Sequence, residues 1–216
     1  MKNKFLLMFT ALLVGLVCSP AIQAQADDVP RYEIGAQFTS TTRPDFNGGH
    51  SAIGVGTRFT FNLNRSVALE AVTNFFQTCR FCGDNSGNQT QGLFGIKAGK
   101  RFHRWGIFGK ARPGFASFSE GGGRYVATGT GGQFPLRFDQ SRLTNFAMDL
   151  GGIIELYHSK HIVTRFEAGD TLIRYGRRDS NFPIMDATGG VTLVNFTIPA
   201  ETRHNFQFSA GIGFRF

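Results

Sequence analysis

The last twelve residues, Asn205 to Phe216, constrain this chain more than any other stretch. Alternate positions read Phe206, Phe208, Ala210, Ile212, Phe214 and Phe216. The positions between them read Asn205, Gln207, Ser209, Gly211, Gly213 and Arg215. Strict period two marks a β-strand with one apolar and one polar face. The apolar face is aromatic; the polar face holds small residues and one arginine. Such a polar face fits either water or a narrow interior, and the rest of the chain decides between them.

Export is the first deciding feature. Lys2 and Lys4 precede the apolar run Phe5 to Val17, and small residues follow up to Ala24-Gln25-Ala26. This pattern predicts a secretory signal peptide over 1–26, cleaved after Ala26, and one domain over 27–216. The run is too short for a membrane anchor. Cys18 follows Val17, where a lipidation signal wants a small residue. The formal net charge is +8, two units of it in Lys2 and Lys4. No run of 18 apolar residues occurs in the body of the chain, so helical spans are not expected.

Seven further segments repeat the alternation. Tyr32, Ile34, Ala36 and Phe38 carry the first, and Ile53 to Leu63 the second. Val67 to Phe75 carry the third, Phe94 to Phe102 the fourth and Ile107 to Phe115 the fifth. Phe146 to Leu156 and Ile162 to Ala168 carry the sixth and seventh. Pro113 lacks an N–H, so the fifth is expected to be irregular at its far end. Parity in the seventh puts Asp170 on the apolar face; a bulge at Gly169-Asp170 is expected to return it inward and turn Thr171, Ile173 and Tyr175 outward. The connections alternate long and short. Tight turns are expected at Asn64-Arg65-Ser66, His103 to Trp105 and His158 to His161. Long loops are expected at Thr42 to His50, Gln77 to Gln91, Ser119 to Arg142 and Gly176 to Arg203.

Eight strands with such alternation predict an all-β, eight-stranded antiparallel up-and-down transmembrane β-barrel. An open sheet cannot cross a bilayer, because its edge N–H and C=O groups would be unpaired in hydrocarbon. Closure removes the edges and sends the apolar parity to lipid. The other parity then places Glu33, Glu70, Asp149, Glu155, Glu167 and Asp170 in the lumen. It places Arg58, Lys97, Arg101, Lys110, Arg112, Arg165, Arg174 and Arg215 there too. Confined opposite charges should pair, because an unpaired buried charge is very costly. Interleaved glycines such as Gly56, Gly95, Gly151 and Gly213 make room for the long side chains. Tyr32, Trp105, Tyr157, Tyr175 and Phe216 suit interfacial girdles. The competing reading is a soluble sandwich or lipocalin-like barrel with the phenylalanines inside. Charges amid glycines on the polar face of six strands argue against it, as does an apolar face too large for a small sandwich core.

With these features the chain resembles bacterial outer-membrane β-barrel proteins of the OmpA/OmpX-like eight-stranded group. The resemblance rests on the signal peptide, the terminal pattern Phe206-x-Phe208-x-x-x-Ile212-x-Phe214-x-Phe216 and the loop alternation. The segments Ile107-Phe108-Gly109-Lys110-Ala111-Arg112-Pro113-Gly114-Phe115 and Phe166-Glu167-Ala168-Gly169-Asp170-Thr171 are also similar to those of outer-membrane β-barrel domain proteins. The resemblance covers the mature chain. It implies an outer-membrane location with loops extracellular and termini periplasmic. It also implies that barrel-assembly machinery reads the terminal strand with Phe214 and Phe216. No cell-wall-binding domain is implied.

Chemistry-bearing residues are few. Cys79-Arg80-Phe81-Cys82 lies in the second long loop, without the helix that a redox motif needs and without further zinc ligands. An exported chain is expected to pair Cys79 with Cys82 as a disulfide. His103, His158 and His161 read as solvated turn residues. His50 and His204, with Ser51, sketch a hydrolytic site that lacks a supporting acid. No catalytic residues, metal ligands or cofactor are therefore expected, and the chain is not read as an enzyme. Arg142, Arg177, Arg178 and Arg203 flank long loops and suit lipopolysaccharide phosphates or plain solvation. The basic pI of about 9.9 does not signal nucleic acid, because no basic face is clustered. The expected partners are outer-membrane lipid and lipopolysaccharide, with a monomeric barrel. A structural or surface-interaction role with a filled lumen leads, and a narrow porin-like channel or lateral-opening transporter remains open beside it.

Overall fold

The computed structural model describes residues 29–43, 50–77, 87–127, 136–185 and 190–216. The signal segment, Cys79 and Cys82 lie outside the described residues. The strands are β1 Tyr32–Arg43, β2 His50–Asn62, β3 Val67–Phe76, β4 Gln89–Arg101, β5 Trp105–Ala127, β6 Leu136–Tyr157, β7 Ile162–Tyr175, β8 Arg178–Met185, β9 Val191–Ile198 and β10 Glu201–Arg215. Eight of them close into an antiparallel barrel in the order β1-β10-β7-β6-β5-β4-β3-β2. Closure joins the first strand to the last, from Glu33 opposite Arg215 to Thr41 opposite Gln207. Tyr32 and Phe216 exchange backbone hydrogen bonds of 3.0 and 2.9 Å at the seam. Once the ring is closed, no barrel edge is left to pair with hydrocarbon.

The alternation reads directly into burial. Phe38 is 71% exposed and Phe94 61% exposed on the outer wall, while Glu33, Glu70, Arg112 and Asp149 on the opposite parity are 0% exposed. The polarity is that of a barrel whose solvent outside is apolar. Three short turns join strands at one end. Asn64 Oδ1 accepts from the Ser66 and Val67 amides, both at 2.8 Å. Ser159 Oγ accepts from His161 and Ile162. The third turn is closed by Phe102 N–H donating to Trp105 O at 2.7 Å, with the two rings stacked 4.2 Å apart.

The long connections carry more structure than their composition suggests. The glycine-rich stretch expected as a loop continues as strand: β5 runs to Ala127 and β6 starts at Leu136, with an irregularity between Phe118 and Gly122. About 9–11 residues suffice to cross a bilayer, so a two-stranded ribbon stands beyond the wall. The connection between β7 and β10 holds a second hairpin, β8 with β9. Pro113 leaves the strand register unchanged; pairing to β4 lapses only opposite Arg112 and Pro113.

Candidate functional site

The interior is built from alternate residues of all eight barrel strands. Its centre is a lattice of buried charges. Arg112 on β5 reaches Asp149 Oδ2 on β6 at 2.5 Å, Glu167 Oε2 on β7 at 2.6 Å and Glu70 Oε2 on β3 at 3.2 Å. Arg165 on β7 donates through both terminal nitrogens to Glu70, the Nη2 contact at 2.8 Å. Its Nε lies 2.7 Å from Glu167 Oε1. Lys110 Nζ sits 2.9 Å from both Asp149 and Glu167. Lys97 Nζ sits 2.5 Å from Glu155, and Arg58 Nη2 lies 2.7 Å from Glu33. Desolvating so many ions is offset only where they have close opposite partners, and Glu70, Glu155 and Glu167 each have three or more within 3.9 Å.

Above the charges the interior divides. One wall is a chain of amides: Arg58 donates to Gln37, Gln37 to Asn74 and Asn74 to Gln91, at 3.3, 2.9 and 2.8 Å. The other wall is apolar, with Val72, Leu93, Ala116, Phe118, Ala147 and Ile173 packed together and Tyr175 against them. Sequence reading missed this apolar cluster, although its residues lie on the inward parity.

Two of the expected lumen charges are not in the lumen. β7 pairs with β6 and β10 without a register shift through Gly169 and Asp170, so the expected bulge does not form. Asp170 stays on the outer face, where its Oδ2 lies 2.5 Å from His204 Nδ1 and its Oδ1 accepts from the Asn205 amide. The His204 side chain is 75% exposed. Arg174 is also exposed on the outer face and donates to Thr202 Oγ1 at 3.1 Å. Thr171 and Ile173 are inside instead. Tyr157 and Tyr175, expected in a girdle, also turn inward: the Tyr157 hydroxyl donates to Glu155, and the Tyr175 ring stacks on Phe118 at 6.0 Å. Tyr32, Trp105 and Phe216 stay on the outer wall.

The glycines have a second job besides making room. A Cβ on Gly56 would strike the Asn74 side chain at 2.1 Å, and one on Gly213 would strike Glu33 at 2.9 Å. A Cβ on Gly95 or Gly151 would strike the neighbouring strand's backbone, at 2.1 and 2.3 Å. There glycine permits close strand approach.

At the long-loop end, the β8–β9 hairpin reaches across to β5. Beyond Phe118, β5 has lost β4 as a neighbour, and its outer edge is open. Asn181 of β8 fills it: its Oδ1 accepts from Tyr125 N–H at 2.7 Å and its Nδ2 donates to Tyr125 O at 3.0 Å. Ser180 Oγ donates to Gly123 O at 3.1 Å. Between the ribbon and the hairpin lies a cleft of about 800 Å³, with Arg124, Arg178, Asp139 and Asp179 on its walls. Arg142 and Arg177 are exposed at this end, while Arg203 pairs with Glu201 at 2.7 Å.

The hydrolytic sketch does not assemble. His204 has Asp170 as an acid, a partner that sequence reading did not find. Ser51 lies on β2, however, with β1 between it and β10, so two strand spacings, about 10 Å, part it from His204. No group of three or more His, Cys, Asp or Glu suited to a metal occurs among the described residues.

Comparison with known proteins places the fold. No family model matches the chain, and no curated protein matches it in sequence. Among solved structures, Neisserial surface protein A covers 86% of this chain and 97% of its own, at TM-score 0.52 and 11% identity. The outer membrane protein OprG of Pseudomonas aeruginosa covers 87% and 96%, at TM-score 0.48 and 12% identity. Ail, the attachment invasion locus protein of Yersinia pestis, covers 87% and 99%, at TM-score 0.45 and 13% identity. The fold is that of the eight-stranded outer-membrane β-barrels.

Proposed function

We propose that this chain is an outer-membrane protein that passes no solute and acts through the hairpins it displays beyond the wall, in a structural or surface-interaction role. The observation that carries the reading is the Arg165–Glu70 pair. β7 and β3 are four strands apart in either direction around the ring, so this contact runs across the full diameter. With Arg112 and Lys110 beside it, it occupies the axis that a solute would follow. Above it the apolar cluster narrows the interior further, leaving the amides of Gln37, Asn74 and Gln91 as the one polar side.

On this reading the long connections face outward and both termini lie in the periplasm. Arg142 and Arg177 at the loop end suit lipopolysaccharide phosphates. The cleft between the β5–β6 ribbon and the β8–β9 hairpin offers both signs of charge to an external partner. The terminal strand with Phe214 and Phe216 serves the assembly machinery, and the barrel acts as a monomer.

The test is a planar-bilayer recording with purified, refolded protein. A silent bilayer, from protein whose insertion is established by protease protection, is the expected result. Steady unitary conductance steps would overturn the filled-lumen reading and move the chain to the transporters.

A further inference from the structure

The buried charges of the interior do not cancel. Five carboxylates, Glu33, Glu70, Asp149, Glu155 and Glu167, share it with seven cations. Five of the cations are packed among those carboxylates, as described above. The two left over are Arg101 and Arg215, and both sit at the tight-turn end. Arg101 touches one carboxylate at long range, Glu155 at 3.7 Å, and Lys97 already holds that group at 2.5 Å. Arg215 donates to Ser159 O at 2.9 Å and forms no ion pair among the described residues. Their side chains are almost wholly enclosed, Arg101 7% and Arg215 5% exposed. Arg101 Nη1 and Arg215 Nε have no hydrogen-bond acceptor. Both guanidiniums lie against one ring, Arg215 at 4.5 Å and Arg101 at 5.4 Å from the Tyr157 centroid.

Both arginines line a cavity of about 730 Å³ that opens between the turns. Four arginines, one lysine and two histidines line it, and no Asp or Glu does among the described residues. A buried guanidinium without a counter-ion is costly, and its planar fork matches carboxylate and phosphate oxygens. Arg215 has no counter-ion among the described residues, and Arg101 has only the distant, shared Glu155 beside hydrogen bonds to the Tyr157 hydroxyl and Asn62 Oδ1. Two guanidiniums so under-compensated at one cavity describe a receptor for an oxyanion.

We propose that the tight-turn mouth of the barrel is an oxyanion-binding site, with Arg101 and Arg215 as its forks and Arg104 at its rim. The anion has two possible sources. One is a dissolved phosphate- or carboxylate-bearing compound. The other is the chain itself, because Asp27 and Asp28 directly precede Val29 and Pro30, and these last two stand on the cavity wall.

Inorganic pyrophosphate is the probe, titrated into the mature barrel in detergent micelles and followed by calorimetry and amide chemical shifts. Folding of every variant is checked by heat-dependent gel migration. Saturable binding is expected, with shifts confined to the three tight turns. Binding should weaken with added salt and fall at least about tenfold in Arg215→Gln. Arg124→Gln, at the far end, should leave it unchanged. If Arg215→Gln does not fold, Arg104→Gln on the exposed turn is the reporter, with a loss of a few fold. The double variant Asp27→Asn, Asp28→Asn separates the sources. Equal binding to that variant and the parent points to a dissolved ligand; tighter binding to the variant points to the chain's own aspartates. No saturable binding to either, or equal loss in Arg215→Gln and Arg124→Gln, would overturn the proposal.

Discussion

Arg165 and Glu70 meet face to face across the whole width of the barrel, both 0% exposed in their side chains. Glu70 also takes Arg112 at 3.2 Å and lies 3.7 Å from Lys97, so its removal takes one partner from each of three buried cations at once. Glu70→Leu should therefore lower stability by about 3–5 kcal/mol, the range for breaking a buried pair from one side. Arg165→Leu should cost a similar amount. The double variant should cost less than the sum, because the two losses share one interaction. Urea unfolding in lipid vesicles, followed by tryptophan fluorescence of Trp105, measures the cycle. Additive losses would mean that the pair across the axis contributes nothing as a pair.

The two sides of the wall can be compared with aspartates one strand apart. Asp149 on β6 is enclosed and serves Arg112 and Lys110; Asp170 on β7 is on the outer face, its side chain 38% exposed against His204. Asp149→Ala should cost about 3–5 kcal/mol, and Asp170→Ala no more than about 1 kcal/mol. The same unfolding assay ranks them. Equal costs would indicate that Asp170 turns inward in the membrane after all.

That contrast also marks how far the sequence carried. Period two, the three tight turns and the seam strand were all legible, because a wall one residue thick leaves every side chain only two choices of solvent. Twelve of the fourteen expected lumen charges lie inside for that reason. Asp170 and Arg174 were misplaced by an energetic argument laid over the parity. On the outer face His204, the Asn205 backbone N–H and Thr202 satisfy these charges without a bulge. The apolar cluster around Leu93 and Phe118 has the inward parity, but apolar residues on both faces of a strand leave no alternation to read there. The β5–β6 ribbon and the β8–β9 hairpin were missed although Phe182, Ile184, Val194 and Phe196 alternate along the hairpin, because Gly121-Gly122-Gly123 and Pro183 read as loop punctuation.

Close approach of β6 and β7 can be tested at Gly151. It sits opposite Gly169, and a Cβ there would come 2.6 Å from the Gly169 Cα. Backbone cannot swing aside as a side chain can, so Gly151→Ala should destabilise by about 1–3 kcal/mol. Its neighbour Gly152 faces outward, and a Cβ there would meet nothing nearer than Phe108 O at 4.0 Å. Gly152→Ala should leave the unfolding midpoint within the error of the measurement. If both variants unfold alike, the two strands are farther apart than their glycines imply.

Coupling between the two outer hairpins rests on Asn181. Its amide replaces a missing strand by donating to and accepting from Tyr125, where β4 no longer runs alongside. An open strand edge is a template for pairing with other chains, so this side chain also guards against association. Asn181→Ala removes both bonds, each contributing about 1 kcal/mol, and leaves the barrel lattice untouched. Amide exchange at Tyr125 should quicken by about tenfold or more, while exchange at Arg112 and Glu70 should not change. A faster Tyr125 with an unaltered global unfolding midpoint would place the hairpin contact outside the cooperative unit that holds the barrel, as expected of an element free to engage a partner. An unaltered Tyr125 would mean that β8 does not hold this edge in solution, and the cleft between the hairpins would then have no fixed wall.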